Sequence, residues 1–395
     1  MPLDRRDFLA LLGASLARPS LALPADKSEP LKIAVNAEFG MPGGFAAQSI
    51  EKGVALAIAE INARGGVLKG KKLALVRYDD RGVPARAIDN LRQLAQDPTV
   101  LAVFCGRFSP VALELAPVTH QLGLPMLNPW AAADAITRGQ PKPNYVFRLS
   151  LTDSLAIEAL LAYAKRRRMR RLLVLLPNTA WGRSSQGVME QYVKGKSGPD
   201  LDMVWYNWGD TDFTEALLDA SRNAVDGILM VANEAEGKFI LEQLANRPSM
   251  MRMPILSHWG ITAGDFNRAS GGLASKLDLV TVQTFAFSDP LSEKQKAVLT
   301  SAREYLGENL RSMPALVGFA HAYDLTHLFS MAMNGAGVPD RRAIRDAMEA
   351  LPRYEGLVRT YVRPFSSVNH EALGKEQVFI ARFNQDGVLY RAGGV

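Results

Sequence analysis

From Leu31 onward, short apolar runs alternate with segments whose apolar positions recur every three or four residues. "LKIAVNA" reads as a strand, and in the following "SIEKGVALAIAEINARGG" Ile50, Val54, Ile58 and Ile61 fall on one helical face before a Gly-Gly stop. "LALVRY", "VLAVFC" and "LPMLNP" continue as strands, with "PARAIDNLRQLAQ" and "PVALELAPVTHQLG" as the helices between them. Such βαβ repetition predicts a mostly parallel sheet covered by helices. After "NYVFRLSLTDS" the rhythm restarts: "RLLVLLP", "MVWYNW", "DGILMVAN" and "MPILSH" as strands, separated by "WGRSSQGVMEQYVKG", "FTEALLDASR" and "EGKFILEQLAN" as helices. The remainder reads as helical, with strands returning only at "GLVRTYV" and "QVFIARFN". Two similar α/β units in tandem are expected.

Length and composition fit this reading. A chain of 395 residues, 48% of them hydrophobic, can build two lobes with a core each. Its first residues carry Arg5 and Arg6, then the short apolar stretch "FLALLGASLA" and a small-residue exit, the pattern of a twin-arginine export signal over residues 1–25. Cleavage is expected after Ala22 or Ala25. The longest later apolar stretch, "PALVGFAHAYDLTHLFSMAM", is broken by His321, Asp324 and His327 and does not read as a membrane span. An exported, soluble periplasmic protein is therefore expected. Cys105 is the single cysteine, so no internal disulfide can form, and it ends an apolar strand as a small hydrophobe would.

Charge and motifs exclude several functions. The net charge of +6 is modest, and "KRRRMRR" at residues 165–171 sits where a helix ends, favoured by the helix dipole; without interleaved aromatics it does not point to nucleic acid. "GGVLKGKK" resembles a phosphate loop but has Lys72 where a hydroxyl residue should hold magnesium, and it runs from helix to strand. His321 and His327 lie about 600° apart around a helix, on different faces, so no metal site is expected. No G-x-S-x-G elbow is present. A Ser109–His258 pair across a cleft is the strongest enzymatic arrangement on offer. The reading is nonetheless of a non-catalytic protein without cofactor.

In an open α/β sheet, ligands bind beyond the carboxyl ends of the strands. There the sequence sets Glu38 and Phe39, Ser109 before a helix opening at Pro110, Trp130 with Ala131 and Ala132, Trp181, Asn233 with Glu234, and Trp259 next to His258. Three of the five tryptophans fall at such ends, split between the two units, which favours a shared aromatic-lined cleft. Ser109 and the helix N-terminus would suit a carboxylate.

The order "LKIAVNAEFG", "EINARGGVLKGKKLALVRYDD", "CGRFSPVALELAPVTHQLGLPMLNPWAAA", "LLPNTAWGRSS", "ILSHWG" and "AHAYDLTHLF" resembles the periplasmic branched-chain amino acid binding proteins, the type I solute receptors of ABC importers. The resemblance implies two Rossmann-like lobes joined by three crossovers, residues 31–150 plus 285–356 and 151–284 plus 357–395. It also implies a monomer that closes on a small molecule and delivers it to permease subunits in the inner membrane. A sensor reporting to a membrane receptor is the alternative. Ser109 matches the serine that holds the ligand carboxylate, and Trp181 an aromatic packing from the second lobe. Two positions depart: Ala132 stands where relatives have a hydroxyl residue, and Trp259 where they have the acid for the ligand ammonium. Either Glu38, Glu234 or Glu236 takes over that acid's role, or the ligand lacks a primary amine, as would an amide, an aromatic or aliphatic acid, or a quaternary ammonium held against the tryptophans.

Overall fold

The computed structural model describes residues 29–41, 44–195 and 198–393; the expected export signal, residues 1–25, lies outside them. The first sheet holds β1 (Leu31–Ala37), β2 (Leu73–Asp79), β3 (Val100–Cys105), β4 (Met126–Asn128) and β5 (Val146–Arg148), all parallel, in the order β2-β1-β3-β4-β5. Helices α1 (Phe45–Ala63), α2 (Pro84–Gln96) and α3 (Ser109–Leu122) make its crossovers. Every residue of β3 is buried, because helices cover both faces of a central strand; the edge strand β2 is largely half-buried.

Helix α4 (Asp153–Arg166) leads into the second unit, where β6 (Arg171–Pro177), β7 (Asp200–Tyr206), β8 (Gly227–Met230) and β9 (Ile255–Ser257) alternate with α5 (Ala180–Gly195), α6 (Thr214–Arg222) and α7 (Glu234–Ala245). Two one-turn helices, α8 (Phe266–Ala269) and α9 (Leu273–Lys276), precede β10 (Leu279–Gln283). That strand was not expected, since strands were read as returning only at "GLVRTYV" and "QVFIARFN"; it is fully buried and pairs in parallel with β9.

The chain then returns to the first lobe through α10 (Glu293–Leu306), α11 (Leu316–Ala336) and α12 (Arg341–Met348), with α11 packed along α1. Helix α11 is buried almost all round. Its buried polar residues find partners across the packing: His321 at the Pro129 carbonyl and Thr284, Asp324 at the Leu357 and Val358 N–H groups and the Tyr361 hydroxyl, and His327 with its Nδ1 at Arg64 and its Nε2 3.2 Å from Glu60. Among the described residues no helix is long and apolar enough to cross a membrane.

"GLVRTYV" is not one strand but the turn and second arm of a small antiparallel hairpin, β11 (Tyr354–Glu355) with β12 (Thr360–Tyr361). Residues 357–372, which the resemblance placed in the second lobe, run along the first: Glu371 bridges to Arg148 on β5, and the Ala372 N–H bonds the Arg148 carbonyl. The third crossing follows, and β13 (Phe379–Phe383) with β14 (Leu389–Arg391) adds two antiparallel strands, giving the order β14-β13-β10-β9-β8-β6-β7. The molecule is thus an α/β fold of two lobes with mainly parallel sheets.

Candidate functional site between the lobes

The carboxyl ends of the strands of both sheets meet across one interface. Ser109, Trp130 and Ala132 from the first lobe, and Trp181, Asn233 and Trp259 from the second, line a single crevice there. Arg107, Phe108, Trp208 and Gly260 complete its wall. The crevice holds only about 10 Å³, little more than room for one water. Aromatic rings fill the rest.

Trp130 meets Trp259 with ring centroids 5.4 Å apart, and Trp259 meets His321 of the first lobe at 5.9 Å. Phe108 and Trp208 make a second ring pair between the lobes at 5.1 Å. Two glycines make space for these rings: a Cβ on Gly318 would stand 2.9 Å from Trp130, and one on Gly260 2.6 Å from Trp181. The Trp208 Nε1 is buried without an acceptor.

Asp153, fully buried at the first turn of α4, orders the second-lobe wall. Its Oδ1 accepts from Trp181 Nε1 at 3.1 Å and lies 3.1 Å from His258 Nε2, while its Oδ2 has no partner. His258 stands behind the rim, edge-on to Trp181 at 5.0 Å, with its Nε2 on Asp153 and no hydrogen bond to Ser109.

Several expected site residues are engaged elsewhere. Ser109 Oγ accepts the N–H groups of Ala132 and Ala133, both at 3.1 Å, so its own hydroxyl hydrogen remains free to donate. The helix begins at Ser109 itself, one residue before Pro110. Ala132 has no backbone group to spare: its N–H goes to Ser109, and its carbonyl accepts from the Asp153 N–H and from Arg148. Ala131 is buried away from the crevice, its carbonyl taken by Asn128, and Phe39 lies beneath the Arg77 guanidinium at 3.9 Å.

Two of the three acids proposed for a ligand amine, Glu38 and Glu234, are engaged by Arg107. Arg107 binds both Glu234 oxygens, at 2.6 and 2.9 Å, and approaches Glu38 at 3.6 Å, so Glu38 and Arg107 of the first lobe and Glu234 of the second form one ion cluster across the interface. Glu236 Oε1 accepts the Gly209 N–H, while its Oε2 is buried without a partner. Burial raises the Glu38 carboxyl above its ordinary range, against the opposing pull of Arg107. Burial also pushes the Cys105 thiol up, leaving it an unreactive core group.

Trp208 and Arg107 were not legible as site residues. The strand-end rule would have found Trp208 had β7 been ended at Tyr206; Arg107 gave a weaker signal, a lone cation at the carboxyl end of β3.

Two α/β lobes facing each other across the carboxyl ends of parallel strands, linked by three crossings, define a two-lobed solute receptor of the type I periplasmic binding class. The chain belongs to the periplasmic binding protein family, whose model matches residues 30–387. It is 25% identical to Leu/Ile/Val-binding protein homolog 7 of Brucella melitensis biotype 1 over 249 residues, 60% of each chain, so this match spans about 60% of that relative's length. With Leu/Ile/Val-binding protein homolog 3 of the same organism it shares 22% over 340 residues, 85% of this chain and 87% of the relative.

Among solved structures, a periplasmic binding protein type 1 from Bordetella pertussis Tohama I superposes with a TM-score of 0.81 at 20% identity, covering 92% of this chain and 100% of that one. LivJ from Streptococcus pneumoniae, a branched-chain amino acid substrate-binding protein in complex with isoleucine, gives 0.77 at 22% over the same shares. A Rhodopseudomonas palustris solute-binding protein in complex with benzoate gives 0.77 at 18%, with 92% and 96% covered. The family is one of binding proteins.

Proposed function

We propose that this chain is the exported solute receptor of an ABC importer, taking a small amino-acid-like, amide or carboxylate ligand between its lobes and presenting the closed form to membrane permease subunits. The observation that carries this reading is the interface itself. Side chains from both lobes interlock only when the lobes are together, so a ligand touching both would favour closure by population shift. Ser109, with its free hydroxyl hydrogen, Trp130, Trp181, Asn233 and Trp259 are the proposed contact surface. Structural relatives holding isoleucine and benzoate support a ligand bearing a carboxylate. With Glu38 and Glu234 tied to Arg107, Glu236 not on the crevice wall and Trp259 in the interface, a ligand without a primary amine fits better than a branched-chain amino acid.

The test is to purify the protein, denature it, identify any released small molecule by mass spectrometry, and confirm it by calorimetry. A bound carboxylate or amide with micromolar or tighter affinity is expected. If amino acids, amides, aromatic acids and betaines all fail to bind at millimolar concentration, the receptor reading is wrong.

A further inference from the structure

The closed crevice is full. Its rings leave about 10 Å³, so a ligand enters only after the lobes part and contacts between them are given up. Those contacts include Trp130 with Trp259, Phe108 with Trp208, and Arg107 with Glu234. The first two are ring pairs. The third sets an arginine of the crevice wall against a carboxylate of the opposite lobe, in the bidentate arrangement that a ligand carboxylate would also make.

The two ends of this pair are held differently. Arg107 lies in the loop between β3 and α3, two residues before Ser109, with its guanidinium 4.7 Å from the Phe108 ring centroid and only 8% of its side chain exposed. Glu234 is the first residue of α7 and 20% exposed. When the lobes part, Glu234 leaves with the second lobe into water, at a helix N-terminus that favours its charge. Arg107 stays with the first lobe, and both of its Nη atoms, which bond Glu234 in the closed form, lose their partner. Glu38 does not replace it: its Oε1 stands 3.6 Å from Arg107 Nε without a hydrogen bond, and burial raises its carboxyl. The charges of Glu38, Glu234 and Glu236 all bear on this one guanidinium in the closed form. A further carboxylate added to them would be repelled, whereas one that takes the place of Glu234 leaves the local charge as it was.

We propose that Arg107 is a ligand-binding residue of the crevice and Glu234 its built-in competitor: the ligand carboxylate, held also by the Ser109 hydroxyl, replaces Glu234 on Arg107. The proposal rests on the receptor reading and narrows it to carboxylates. Arg107 then determines specificity. An amide with the same body offers the guanidinium one neutral oxygen and does not restore the bidentate pair lost with Glu234. Affinity becomes a difference between two carboxylates for one cation, so removing the internal one tightens the ligand.

The full chain and its Glu234→Gln and Arg107→Gln variants, each checked by thermal melt, are titrated calorimetrically with benzoate and isoleucine and with their amides, benzamide and isoleucinamide. Expected is binding of at least one carboxylate, tightened roughly threefold or more by Glu234→Gln and weakened roughly tenfold or more by Arg107→Gln. Its amide is expected to bind the unaltered protein more weakly and to gain nothing from Glu234→Gln. Unchanged or weaker binding of the carboxylate in Glu234→Gln means that the Arg107–Glu234 pair persists in the complex and overturns the exchange. Equal tightening of acid and amide also overturns it, leaving Glu234 a latch indifferent to ligand charge. If Arg107→Gln does not fold, Arg107→Lys, which keeps the charge beside Glu38 but loses the fork, decides in its place by a weakening of roughly threefold or more. Failure of both carboxylates to bind Glu234→Gln at millimolar concentration overturns the inference as well. The receptor reading is judged separately by the co-purified small molecule: an uncharged ligand there removes the exchange and leaves the receptor standing.

Discussion

Trp259 is almost fully buried although it follows the carboxyl end of a strand, because rings from the opposite lobe, Trp130 and His321, cover it. Removing it strips contacts made only in the closed form. Trp259→Ala should therefore weaken ligand binding by roughly 1–3 kcal/mol, measured by calorimetry; unchanged affinity would make the ring a structural plug. Asp153 has a different part. It receives Trp181 and lies against His258 from full burial, so Asp153→Ala should lower stability by roughly 2–4 kcal/mol in urea unfolding, where a change below 0.5 kcal/mol would refute the role. At this scale the placing of Ser109, Trp130, Trp181, Asn233 and Trp259 on the rim between the lobes was readable, because a strand end is a local property of the chain. The engagement of Glu38 and Glu234 by Arg107 was not, since those partners lie 69 and 127 positions away.

Helices and strands of both lobes were legible nearly to the residue where the pattern is strong, as in α2, β3 and β6. β10 was missed, although the Val280-Thr281-Val282 run carries a β-branched signature; a short apolar run is ambiguous between helix and strand until neighbours pair with it. The arms of β11 and β12, two residues each, exist only through their pairing. Close packing between elements is equally non-local. A Cβ on Gly53 of α1 would lie 2.3 Å from the Phe319 carbonyl oxygen of α11, so Gly53→Ala should destabilise by about 1–3 kcal/mol despite its better helix propensity. Chemical denaturation checks this, and a gain in stability would show that α1 and α11 can move apart.

For the molecule as a whole, the Arg107–Glu234 pair ties the lobes together. Glu234→Gln removes its charge and should shift the ligand-free protein toward open forms by roughly 1–3 kcal/mol, seen as a larger radius of gyration in X-ray scattering; an unchanged radius at low and high salt would sink the idea.

Protonation acts on the same region. Burial raises Asp80 to about 7, with the nearby Glu38 and Asp79 charges adding to it. A carboxyl raised above its unfolded value of about 3.9 binds more protons folded than unfolded between those pH values. Its contribution to stability is then full at acid pH and fades as pH rises toward 7. Asp80→Asn should flatten that decline by roughly 1–4 kcal/mol in unfolding measured from pH 4 to 8. His321, lowered to about 4 by burial, works the other way: its contribution is lost as pH falls from its unfolded value near 6.5 through 4.

The sequence by itself determined the alternation of strands and helices, the two α/β units, and the rim positions where a ligand could be met, because periodicity and strand ends are written in neighbouring residues. Tertiary structure decided what those positions do. Whether Glu38 is a free acid, whether Ala132 has an N–H to offer, and which side chain holds Arg107 depend on pairings between residues far apart in the chain. Such pairings are energies of approach in space, and no local pattern encodes them.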